Sequence, residues 1–92
     1  MKQEQAEVIA LQAITFISSE ERALHGFLAQ SGAGIDDLQS NLTDPAFLAG
    51  ILDFLLSDES ALLVFCEQAE IEPQLIVSAR RALPGAENLW DG

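Results

Sequence analysis

Asp44-Pro45-Ala46-Phe47-Leu48-Ala49-Gly50-Ile51-Leu52-Asp53-Phe54-Leu55-Leu56-Ser57-Asp58-Glu59 holds the pattern that decides the fold of this chain. Proline at the first helical position lacks only an N–H that would be unpaired there anyway, so Asp44-Pro45 starts a helix. Phe47, Leu48, Ile51, Leu52, Phe54, Leu55 and Leu56 cover nearly its whole circumference, which marks the buried centre of a domain. Ser57-Asp58-Glu59 then starts another helix. A serine oxygen can cap free N–H groups there, and two carboxylates meet the positive end of the dipole.

Working outward, the same grammar recurs. Upstream, Val8, Ile9, Leu11, Ile14, Phe16 and Ile17 form a broad apolar stripe on a helix from about Gln3 to Ile17. Ser18 and Ser19 end it. Ser19-Glu20-Glu21, with Ser18-x-x-Glu21 as a capping box, starts a second helix carrying Ala23, Leu24, Phe27 and Leu28. Ser31-Gly32-Ala33-Gly34 stops that one, because glycine takes the left-handed conformation a helix end favours. A short third helix over 35–41 presents Leu38, with Leu42 after it. Downstream, Leu62, Leu63, Phe65 and Ala69 give the fifth helix an inward side. Glu72-Pro73 starts a sixth with Leu75, Ile76, Ala79 and Leu83, which Pro84-Gly85 terminates. No segment sustains the period-two alternation of a strand. The expected fold is all-α: a compact bundle of about six short helices in one domain over 1–85, followed by a tail over 86–92.

A chain of 92 residues has no room for a second core. Its 49% hydrophobic and 21% charged residues are the mix of a globular protein. Fifteen acidic against four basic side chains give a net charge of −11, which repels nucleic-acid backbones and anionic lipid. Direct nucleic-acid and membrane partners are therefore not expected. Met1-Lys2-Gln3-Glu4-Gln5 lacks the basic stretch and apolar core of a signal peptide, and the run Ala46 to Leu56 falls far short of a membrane span. One cysteine forms no internal disulfide, which fits a reducing compartment and a cytoplasmic protein.

Shifting the chain on itself by 38 positions aligns Phe16 with Phe54, Ser19 with Ser57, Glu21 with Glu59, Ala23 with Ala61, Leu24 with Leu62, Phe27 with Phe65 and Gln30 with Gln68. Counting the glycines near Gly32 as an insertion places Ile35-Asp36 on Ile71-Glu72. The expected organisation is two duplicated three-helix units, 3–42 and 45–83, each needing the other to bury its apolar face.

Residue types that could carry chemistry are few. His25 follows Glu21 by four and shares its helical face, yet two ligands do not make a metal site and the chain holds no second histidine. Cys66 has no basic neighbour to activate it and reads as a small core hydrophobe. No nucleophile turn, EF-hand spacing or phosphate-binding glycine loop is present. The paired carboxylates fall at helix starts, where the dipole accounts for them, and Arg80-Arg81 suits the negative end of the sixth helix. No catalytic, metal or cofactor residue is assigned, and the chain is not expected to be an enzyme.

Phe27-Leu28-Ala29, Gly34-Ile35-Asp36, Asp44-Pro45-Ala46-Phe47-Leu48, Leu52-Asp53-Phe54-Leu55-Leu56, Ile71-x-Pro73 and Ala79-Arg80-Arg81-Ala82-Leu83-Pro84-Gly85 together resemble a short alphaproteobacterial family, domain of unknown function 3572. The resemblance covers about residues 8 to 85, and Asp-Pro-Ala-Phe-Leu and Leu-Pro-Gly are its most specific parts. It implies a bacterial, cytoplasmic, helical protein and transfers no functional residue.

The function expected from these features is a non-catalytic, acidic helical module for protein–protein interaction or regulation. The shorter, more polar third helix should leave apolar surface uncovered, so Leu38, Leu42 and Phe47 are the expected partner-binding groove, with Leu89 and Trp90 of the tail as a docking segment. A homodimer stays open. Two alternatives stand beside this reading: a ligand or enzyme pocket between the two units, holding His25 or Arg80-Arg81, and an acidic mimic of nucleic acid.

Overall fold

The computed structural model describes residues 1–85. Six helices follow in order: α1 (Gln3–Ser19), α2 (Glu21–Ser31), α3 (Ile35–Ser40), α4 (Pro45–Ser57), α5 (Glu59–Ala69) and α6 (Pro73–Arg81). There is no strand among the described residues. The fold is an all-α bundle, as the helix signals require.

Asp44 starts α4 as its sequence predicts, accepting a hydrogen bond from the Ala46 amide at 3.0 Å with Pro45 in the first turn. Leu48, Ile51, Leu52, Phe54 and Leu55 of this helix are buried. The long α1 lies against it and buries Ala6, Ala10, Ala13, Ile14, Phe16 and Ile17, whose small alanines let neighbouring helices come close. α2, α5 and α6 also pack on this central pair, while contacts of α3 with the other helices are slight. Only Leu38 anchors α3 in the core.

The serine caps expected at two helix starts do not form. α1 continues through Ser19 and α4 through Ser57, and Glu20 and Asp58 are the extended residues that begin the next helices. Each serine is thus the last residue of a helix. Its hydroxyl donates backwards, Ser19 to the Phe16 carbonyl at 3.0 Å and Ser57 to that of Phe54 at 2.8 Å. Asp58 supplies the cap for α5, accepting from the Ala61 amide at 3.2 Å, and Glu20 gives α2 no side-chain cap.

The 38-residue offset runs through the helix limits. α2 at 21–31 and α5 at 59–69 have the same length, and α3 and α6 begin at 35 and 73. No insertion at Gly32 is needed: Gly32 ends α2 at φ 74°, and Glu70, 38 residues on, ends α5 at φ 57°. Left-handed φ is rare for a side-chain-bearing residue, so this match is a backbone correspondence that the residue types conceal. Ring contacts match in a crossed sense. Phe27 of α2 meets Phe54 of α4 at 5.7 Å, and Phe65 of α5 meets Phe16 of α1 at 5.5 Å.

Candidate functional site

The most developed polar cluster is one that charge reading alone did not find. Ile76, Ala79, Arg80 and Leu83 are buried at the spacing of a helix core stripe, so Arg80 occupies a core position. Its Nε donates to Asp53 Oδ1 on α4 at 2.6 Å, and its Nη1 donates to the Pro84 carbonyl at 2.9 Å. The Asp53 side chain is 40% exposed, so the pair has one dry and one wet member. Gly85, at φ 90°, closes over the guanidinium, and a Cβ there would lie 3.3 Å from Nη2. The guanidinium fork thereby ties the end of α6 to α4 and folds the Leu83-Pro84-Gly85 turn back on the domain. Two sequence signals pointed here: Asp53 breaks an otherwise apolar run, and Arg80 sits in register with Ile76 and Leu83.

Arg80 is thus held through Nε and Nη1, and it lines none of the three clefts described next. One, of about 300 Å³, opens where α2 and α5 begin, with Glu20, Arg22 and Ala23 facing Asp58, Ser60 and Ala61. These are three pairs at the 38-residue offset, so the cleft lies between the two expected units. Neither His25 nor Arg80-Arg81 lines it. His25 is exposed, as is Leu63 at the 38-residue offset from it. A second cleft, of about 310 Å³, lies between α1 and α5 with Ser19, Phe65 and Gln68 on its walls.

A groove of about 590 Å³ runs between α1 and α6, lined by Met1, Gln5, Val8, Ile9, Leu75 and Ser78. Val8 is 55% exposed and Leu75 43%. Sequence reading placed Val8 in the apolar stripe of α1 and Leu75 among the apolar residues of α6. The alanines decide otherwise: Ala6, Ala10 and Ala13 take the inward face of α1, which turns Val8 and Leu11 outwards.

The residues expected to form a partner groove are divided. Leu38 is 4% exposed and belongs to the core, since it alone holds α3 down. Leu42 is 38% exposed. Phe47 is half-buried, its ring perpendicular to that of Phe27 at 6.0 Å. Ile35, not among the expected residues, is exposed as well. Leu89 and Trp90 lie outside the described residues.

Cys66 is buried, and burial pushes its thiol up from the ordinary range, away from the nucleophilic thiolate. Among the described residues, no three His, Cys, Asp or Glu side chains are grouped to hold a metal ion, and no helix is long and apolar enough to cross a membrane.

Fold and surface together define a small all-α domain with a closed polar clasp and exposed apolar grooves. The chain matches the family described as Protein of unknown function (DUF3572) over residues 3–86, and it belongs to that family. No curated protein and no solved structure matches it.

Proposed function

We propose that this chain is a non-catalytic interaction module that binds another polypeptide through apolar side chains kept at its surface. What carries the reading is the convergence of Val8, Ile9 and Leu75 on the concave groove between α1 and α6. Scattered surface hydrophobics need no explanation, but apolar residues grouped in a concavity describe a docking surface. Ile35 and Leu42 at the two ends of α3 are further exposed apolar side chains, and the buried Leu38 positions that helix. A net charge of −11 adds steering towards a basic partner. The module works in the cytoplasm, where its single thiol stays reduced.

Photo-cross-linking from single sites tests this. With the cross-linker at Val8 or Leu42, cells that express the chain should yield a discrete cross-linked species that is absent with the cross-linker at Glu67, an exposed polar position on α5. Indistinguishable products from all three sites, or none from any, reject the reading.

A further inference from the structure

We propose that the groove between α1 and α6 takes one amphipathic, basic α-helix of a partner protein. This rests on the interaction reading above and adds the chemistry of the occupant. The groove offers apolar side chains from two adjacent helices, with Gln5 and Ser78 as its polar members. Such a surface accepts the apolar face of a third helix, anchored by residues at i, i+3 or i+4, and i+7.

Charge selects the occupant's polar face. Glu4 precedes Val8 by one turn and Glu72 precedes Leu75 by one turn. Lys2 and Arg81 are the basic residues on the same stretches, because Arg80 is enclosed by Asp53 and the Pro84 carbonyl. Beside the groove, where Met1 also brings its amino group, these charges roughly balance, so the selecting field is that of the whole chain, which carries a net charge of −11. Lysines or arginines flanking the partner's apolar stripe are drawn by this field, whereas acidic flanks are repelled.

A second copy of the chain is the poorer occupant on two grounds. It would bring a further −11 to the contact. The exposed apolar lining comes mainly from Met1, Val8 and Leu75, much less than the ~800 Å² per partner that a stable dimer buries. A single helix needs only two or three anchors.

The test uses the full chain and three fluorescein-labelled peptides of about 18 residues, long enough to form a helix on binding. The first carries leucines at i, i+3, i+4 and i+7 with lysines between them; the second scrambles that composition; the third keeps the leucines and replaces lysine by glutamate. Fluorescence anisotropy should show the first binding at least about tenfold more tightly than either control. Val8→Gln with Leu75→Gln leaves the charge unchanged and should reduce that affinity about tenfold, with the thermal melt of the domain preserved. Equal binding of the scrambled peptide would mean charge alone acts and would overturn the proposal. Failure of all three peptides would overturn it as well, while the Val8 cross-link still tests the interaction reading separately. Two further outcomes reassign the groove: tighter peptide binding by Leu89→Ala with Trp90→Ala makes the chain's own 86–92 segment the occupant, and a dimer in sedimentation that the glutamine variant abolishes makes it a second copy.

Discussion

Arg80 shows how one buried residue can organise several others. A lysine there keeps the charge but cannot reach Asp53 and the Pro84 carbonyl at once from a fork, and it leaves one of these two partly buried contacts unmade. Arg80→Lys should therefore cost about 1–3 kcal/mol. Gly85→Ala should cost about 1–2 kcal/mol by a separate route, since φ 90° is strained for any side chain and the new Cβ crowds Nη2. Urea unfolding followed by circular dichroism measures both. An Arg80→Lys midpoint equal to wild type would show that the clasp contributes nothing to folding. Asp53 is half in water, so Asp53→Asn should cost less than Arg80→Lys.

Helix junctions are where element-scale expectations and structure part. The Ser-acid-acid starts predicted serine caps, yet a serine at the end of the preceding helix can satisfy its hydroxyl on its own i−3 carbonyl. That choice leaves Asp58 as the cap of α5, and the substitutions separate accordingly. Asp58→Ala should lose about 1 kcal/mol by removing the acceptor of the Ala61 amide. Ser57→Ala should stay within about 0.5 kcal/mol of wild type, because Ser57 is exposed at the helix end and water can replace its hydroxyl at the Phe54 carbonyl. Calorimetric melting would distinguish them, and the reverse ranking would restore the serine as the cap. α3 makes a different point. It keeps one anchor, Leu38, so its attachment depends on a single side chain and not on a packed face.

Across the whole molecule, the crossed ring contacts Phe16–Phe65 and Phe27–Phe54 tie the first half of the chain to the second. Reading the chain as two copies of one unit, 3–42 and 45–83, makes Phe16 and Phe54 equivalent. Both are nearly buried, and each faces an aromatic partner from the other half. Phe16→Ala and Phe54→Ala should each cost about 3–5 kcal/mol, and by amounts within about 1 kcal/mol of each other. For a domain whose whole stability is of order 5–10 kcal/mol, either variant should be close to unfolding at room temperature. Denaturant titration of the two variants side by side checks this. One well-folded variant beside one unfolded variant would remove the equivalence.

The sequence by itself determined the all-α class and most helix limits, because these follow from local rules: Asp44-Pro45 and Glu72-Pro73 start helices, and Gly32 ends one, whatever surrounds them. It also determined the 38-residue register, since Phe16, Ala23, Leu24 and Phe27 recur at that spacing. Only the tertiary structure decided which apolar residues face inward. On α1 the small side chains Ala6, Ala10 and Ala13 win the buried face and leave Val8 and Leu11 to solvent, because helices packed on two sides need close approach more than bulk. Only the tertiary structure, likewise, could bring Asp53 to Arg80 across 27 residues of chain. Local spacing carries no record of which distant charge a buried guanidinium will meet.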